Sequence, residues 1–317
     1  MPSPSRSAAR HAPRRATRVA LCAILALGLS QLGSSCDDHR YYKDKFNLLA
    51  IEYADGVFVT VGEDYSTANS VGGERFTLQA TACCKSHNAV MFGNGTWVAA
   101  GADGVVFTST DTATWFIQFL STHRTIRGAA YGNDDGSGNG IYVLVGDDGR
   151  LFSSSNAGAW AREDSPTGED YYDAIFAGGQ FVAVGTNGVV ITSPDGFDWT
   201  LQDSGSTGDL RGVGWGNDLY VAVGAEGLIL TSPDAVTWTP QVSPVVNNLN
   251  DVTYANGVYV VVGRHGVILS SPDGVDFTRR NSRTSRRLDG VTFGNGAFTV
   301  VGRKETIINS TDGIDWN

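Results

Sequence analysis

Two regularities predict an all-β chain folded as a seven-bladed β-propeller of four-stranded antiparallel blades. A glycine closes a valine-rich run at Gly62, Gly101, Gly146, Gly185, Gly224, Gly263 and Gly302, at intervals of 39, 45, 39, 39, 39 and 39 residues. An aromatic residue keeps the same count at Phe76, Trp115, Trp160, Trp199, Trp238, Phe277 and Trp316. A fixed period near forty marks a stacked or radial array of like units. Within each unit the apolar period is two, the period of a strand.

The sixth unit shows each element in order. Leu249, Val252 and Tyr254 predict strand a; Val258, Val260 and Val262 predict strand b. Val267 and Leu269 predict strand c, and strand d lies around Phe277. Asn256-Gly257 is a hairpin turn dipeptide, and the pair Gly263 and Gly266 brackets a second tight reversal. Seven such sheets arranged radially leave few edges exposed.

The phrase ITSPDGFDW at residues 191–199 returns as LTSPDAVTW at 230–238, LSSPDGVDF at 269–277 and INSTDGIDW at 308–316. It falls on the c–d hairpin. Asp195 can accept hydrogen bonds from the amides of its own turn, Gly196 permits positive φ, and Trp199 packs between sheets. Asp111, Asp234, Asp273 and Asp312 hold the equivalent place. The phrase resembles the Asp-box of sialidases and other propellers (the BNR repeat), Ser-x-Asp-x-Gly-x-Thr-Trp, shortened by one residue. The longer unit VAVGxxGxIxxSxDGxxW is similar to photosystem II assembly-factor-type propellers and related exported bacterial proteins, over residues 48–317. The resemblance implies that these aspartates are structural and lie away from the ligand face.

Three segments are expected: 1–35, 36–46 and 47–317. In the first, Arg6, Arg10, Arg14, Arg15 and Arg18 precede an apolar run, 19–29, and small residues at Gly33, Ser34 and Ser35. That order reads as a secretory signal peptide. Cys36 follows, and LGSSC resembles a lipobox, which implies a lipidated exported protein at the periplasm or cell surface. Leu32 stands one place out of register for that motif, so ordinary signal peptidase is the alternative. Residues 36–46 are expected to carry this anchor and, in 39–45, a strand that completes blade seven beside residues 306–309. Outside the signal only Cys83 and Cys84 remain besides Cys36, as a vicinal disulfide or two thiols.

Without residues 1–35 the chain carries 18 Lys and Arg against 33 Asp and Glu, a net charge of −15. Nucleic-acid binding is not expected. Eight of the 18 cations nevertheless fall within 41 residues: Arg264, Arg279, Arg280, Arg283, Arg286, Arg287, Arg303 and Lys304. They occupy the b–c turns of blades six and seven and the connection 279–287 between those blades. Acidic residues Asp103, Asp147, Asp148, Glu163, Asp164, Glu169 and Asp170 gather in the opposite sector. The alternative to a binding patch is a solvated basic loop. Strand a is expected to place Asn88, Arg127, Tyr172, Arg211, Asn250 and Asp289 at the channel mouth, as a pocket or as a structural polar ring.

No catalytic set emerges. Asp289 with Arg127 and Arg211 is the one candidate group for a sialidase-like glycoside hydrolase, and no Arg-Ile-Pro start accompanies it. His87, His123 and His265 are expected in connections without a partnered serine. No cofactor or metal site is expected; the loop 134–139 has oxygen ligands but lacks a distal bidentate acid. The expected function is therefore a monomeric, non-catalytic scaffold, its partner a protein or an anionic glycan.

Overall fold

The computed structural model describes residues 46–63, 67–79, 85–132 and 140–317. Blades one to six are four-stranded antiparallel sheets in the order a-b-c-d, and blade seven pairs three strands. In blade six these are Leu249–Ala255, Val258–Gly263, Val267–Ser271 and Thr278–Asn281. Strand a of each blade packs against strand a of the next, and that of blade seven (Leu288–Gly294) against that of blade one (Leu48–Ala54). The ring is closed.

The apolar alternation serves two interfaces at once. Tyr259 and Val261 of blade six pack with Val221, Val223 and Ile229 of blade five. Val260 and Val262, from the same strand, pack with Leu288, Val291, Phe298 and Val300 of blade seven. Strand b is thus buried on both faces, and Val260, Val261 and Val262 are 0% exposed. Seven such clusters fill the seven interfaces; that between blades seven and one, Leu48, Ile51, Phe58 and Val301, has the fewest buried residues.

Both predicted turns form. Asn256 and Gly257 take φ of 51° and 78°, the left-handed pair that joins two twisted strands in two residues. The b–c reversal is a single 3-10 turn, Arg264–Gly266, with His265 at φ 59°.

The c–d phrase is a hydrogen-bonded device. Asp195 Oδ1 accepts the amides of Phe197 and Asp198 at 2.9 and 3.0 Å. Ser193 Oγ donates to Asp195 Oδ1 at 3.0 Å and accepts the amide of Gly196 at 2.8 Å. Trp199 Nε1 donates to the Gly196 carbonyl at 3.2 Å. Asp111, Asp234, Asp273 and Asp312 repeat the carboxylate bonds, and Asn156 supplies them in blade three. Accepting two amides holds the carboxyls of Asp234, Asp273 and Asp312 below the usual carboxylate range.

One expectation is corrected. His87 lies not in a connection but at the start of strand a of blade two, 0% exposed, its ring 4.8 Å from that of Phe107. The other blades place Leu48, Ile126, Tyr171, Leu210, Leu249 and Leu288 at this position. Neither ring nitrogen has a hydrogen-bond partner, and burial pushes the imidazole pKa down to about 4. Between the ordinary value of 6.5 and about 4, the unfolded chain binds a proton that the folded chain refuses, so stability falls as pH falls. The loss reaches about 3 kcal/mol at pH 4. His87→Leu is expected to remove this slope; denaturant midpoints for parent and variant from pH 7 to pH 4.5 measure it, and parallel curves would refute the assignment.

The signal segment, Cys36, Cys83, Cys84, loop 134–139 and the expected closing strand 39–45 lie outside the described residues. At the seam, Asn317 exchanges two backbone bonds with Asn309, at 3.1 and 3.3 Å. Lys304 donates its amide to Asn47 Oδ1 at 3.1 Å. Asp148, Asn187 and Glu226 donate in the same way to Asp170, Asp209 and Asn248, each the residue before the next strand a. Residues 46–47 therefore enter blade one as an interblade connection does elsewhere. A closing strand at 39–45 predicts that a chain lacking residues 37–45 melts at a lower temperature; an unchanged melting temperature would rule it out.

Candidate functional site

Strand a is the inner edge of every blade, so its free amides and carbonyls face the channel. In each blade the a–b register slips after the first residue, as between Leu249 and Asp251. The second residue is left unpaired in this bulge. Asn88, Arg127, Tyr172, Arg211, Asn250 and Asp289, all at that place, line one cavity of about 560 Å³. The expected channel-mouth residues are thus brought together.

Their partners are local. Asn88 Nδ2 donates to the Ile126 carbonyl of the next blade at 3.1 Å, and Asn250 Nδ2 to that of Leu288 at 2.6 Å. These two asparagines tie blade to blade. Arg127 pairs with Asp147, and Arg211 lies 3.6 Å from Asp209. Tyr172 sits between the two guanidiniums, at 5.3 and 5.8 Å from its ring centre. Burial, then Asp209, raises the phenol pKa despite those cations. Asp289 binds Arg287 at 2.5 Å and is pushed up to about 6 by burial, against the pull of Arg287 and Arg303.

Three channel acids escaped sequence reasoning: Glu52, Asp173 and Asp251. Asp173 accepts the amide of Ala174 at 2.8 Å and that of Val213, in the next blade, at 2.9 Å. Asp251 repeats this with Val252 at 2.7 Å and Val291 at 2.8 Å. Each carboxylate clips two inner strands together by capping amides that no strand can reach. Glu52 accepts the amide of Tyr53 at 3.0 Å. Enclosure by the ring raises all three carboxyls above their usual range, and for Asp251 the charges of Asp173 and Glu52 add to it. The sequence signal was an acid inside an apolar strand a, where Ala50, Ala89, Gly128, Gly212 and Gly290 hold the place of the two aspartates.

The eight cations of blades six and seven divide. Arg264, Arg287 and Arg303 surround the mouth: burial lowers the Arg287 pKa, and Arg264, Arg303 and Arg211 lower it further against the attraction of Asp289. Arg286 reaches the Lys304 carbonyl and Thr306 Oγ1 at 3.5 and 3.4 Å. Arg283 is exposed in the d–a connection at φ 56°. Arg279 and Arg280 stand apart on the outermost strand, with Arg280 Nε on Ser270 Oγ at 2.7 Å.

The two charged sectors differ in what remains free. Asp103 pairs with Lys85, Asp147 with Arg127 and Asp148 with Arg124. Glu169 accepts from Thr186 Oγ1 and Asn187 Nδ2, at 2.7 and 2.9 Å. Among the described residues of the basic sector only Arg287 has a carboxylate partner. Among the described residues three of the seven acids of the acidic sector have a cation partner, and one of the eight cations of the basic sector has a carboxylate partner.

Among the described residues no three His, Cys, Asp or Glu side chains converge on a metal position. Arg127, Arg211 and Asp289, the candidate hydrolase group, each have another charged partner. A nucleophilic phenolate at Tyr172 would need its pKa moved down, whereas it is moved up.

No protein-family model and no curated protein matches the chain. Solved structures match its fold. A structure of YCF48 bound to D1 peptide superposes with a TM-score of 0.58 at 14% identity, over 86% of each chain. YCF48 from Cyanidioschyzon merolae gives 0.57 at 16%, over 73% of this chain and 84% of that one. The Neurospora crassa Pan2 WD40 domain gives 0.64 at 12%, over 84% and 90%. At such identities the likeness is one of fold.

Proposed function

We propose that the chain is a non-catalytic, extracytoplasmic binding or assembly-scaffold propeller that captures an acidic protein segment on the face formed by its d–a and b–c connections. The observation that carries this reading is the unneutralised basic sector, Arg264, Arg283, Arg286, Arg303 and Lys304, on a chain of net charge −10. Guanidinium groups bind carboxylates through paired, directional bonds, so an acidic segment is their natural complement. A propeller of similar fold holding a peptide supports the class of ligand. The acidic sector opposite orients a partner more than it tightens it.

Replacing Arg264, Arg283 and Arg303 with Glu tests the reading while keeping both residues of the Arg287–Asp289 pair. Stopped-flow association with a fluorescent Glu- and Asp-rich peptide is expected to slow about tenfold or more, with a flatter salt dependence. Equal rates and equal salt slopes would leave the sector a solvated loop. Tighter binding of a sulfated glycan than of the peptide would transfer the site to anionic glycans, and release of a sugar from a sialoside would restore the hydrolase reading.

The basic leader and Cys36 support export with a lipid anchor. Cys36→Ser is expected to move the protein from the membrane to the soluble fraction and to abolish labelling by a fatty-acid probe; retained labelling would exclude lipidation at Cys36.

A further inference from the structure

The connection from blade five to blade six, residues 241–248, exposes apolar surface where its counterparts expose polar surface. Val242 and Val246 are 89% and 84% exposed, the two highest values among the large hydrophobic residues described. Pro244 between them is exposed as well, while Val245 is buried in the cluster between blades five and six. The backbone does not ask for this. Ser243 Oγ donates to the Val245 carbonyl at 3.0 Å, and Ser165, Ser204 and Ser282 donate likewise to the carbonyl two residues on, in the connections after blades three, four and six. Counting from that serine, those connections place Asp164, Asp203 and Asn281 where Val242 stands, and Gly168, Thr207 and Ser285 where Val246 stands. Val245 already supplies the apolar contact that holds the connection down. Val242 and Val246 contribute almost nothing to packing within the chain.

What lies beside them is charged. Arg264 donates its backbone amide to the Asn248 carbonyl at 2.9 Å, and the Asn247 side chain meets His265 Nδ1 at 3.2 Å. The connection thus ends against the b–c turn of blade six, where the basic sector begins. Arg283 and Arg286 follow in the next connection, and Arg303 and Lys304 in the b–c turn of blade seven. Among the described residues none of these five cations has a carboxylate partner. Single exposed valines are ordinary on a protein surface. An exposed apolar group rimmed by charge, beside packing that is already complete, marks a surface that meets another molecule.

We propose that the protein segment captured by the basic face carries a bulky apolar residue at one end of its acidic run, and that Val242, Pro244 and Val246 receive that residue. The proposal rests on the basic face being a site for an acidic segment. The apolar residue belongs at an end because the connection lies at the blade-five end of the cations, not among them. Exposed ion pairs are weak and screened by salt. Burial of apolar surface adds affinity that salt does not remove, so the two together hold a segment that charge alone would only steer. A membrane fits this surface less well. Binding at a lipid interface draws on Trp, Phe or Leu sunk below the head groups, and two valines and a proline on a short connection offer little to insert.

Three fluorescent peptides test this: a run of Glu, Asp and Ser, and the same run with a leucine at its N-terminal or its C-terminal end. One of the two leucine peptides is expected to bind the full chain about tenfold more tightly than the plain run. That advantage is expected to persist as salt rises, while binding of the plain run falls away. The double variant Val242→Asn with Val246→Ser carries the residues that the connection after blade six has at these places. It is expected to abolish the leucine advantage and to leave binding of the plain run unchanged. Both side chains lie in solvent, so the variant is expected to melt with the parent. A leucine advantage absent from the parent, or retained in the double variant, would overturn the proposal and leave the acidic-segment reading standing. No binding by any of the three peptides would remove both. Phosphatidylglycerol vesicles that displace the leucine peptide from the parent and bind the double variant less would overturn it in favour of a membrane.

Discussion

Strand b carries apolar residues at consecutive positions, and such a strand has no solvent face to offer. Val260 and Val262 need one neighbouring blade while Tyr259 and Val261 need the other. Fully burying one valine side chain contributes about 1.5–3 kcal/mol. A single blade would expose half of that surface, and an open row would expose it at both ends. Only a ring places a blade on each side of every blade. The constraint is met unequally: the cluster between blades seven and one has four buried members, which makes the seam the thinnest interface.

Closing the ring creates a problem at its centre. Strand a has a partner on one edge only, and its other edge looks into the channel. Side chains take over the work of the missing ladder. Asp173 and Asp251 cap amides of their own and the following blade, and Asn88 and Asn250 cap carbonyls in the same direction. The bonds to the following blade cross an interface, so the polar ring and the apolar clusters hold the same blades together. The polar channel residues are therefore chiefly part of the architecture, and a ligand can use only the acceptors this bonding leaves over.

The blades were legible in the sequence because repetition multiplies a weak signal. One Asn-Gly and one valine run predict little; seven copies in phase fixed turns, strands and the c–d hairpin, down to the Asp195 bonds. The six channel-mouth residues were found by the same counting, since each holds the same place in its strand. Pairing between distant repeats was not legible. That Asp251 reaches Val291 forty residues on depends on interblade geometry that no period encodes. His87 was misread for a related reason: a polar residue at the end of an apolar run looks like a connection until its blade is laid over the others.

A near-symmetric scaffold makes departures from symmetry informative. If seven blades solve the same packing problem, a residue that only one or two of them carry needs a separate physical account. Asp173 and Asp251 have one, in the amides they cap. His87 has none in packing, since leucine fills the same place in four other blades without a buried, unpaired imidazole. Arg264 in blade six has none either: it occupies a turn position that other blades fill with Ala102, Asp147, Thr186 and Ala225, and the 3-10 turn is the same. Burial lowers the Arg287 pKa, and the like charges of Arg264, Arg303 and Arg211 lower it further against the attraction of Asp289. The acidic partner is proposed on this departure: the fold tolerates Arg264 at a place where the repeat offers a neutral alternative, and carboxylates are the complement of guanidinium groups.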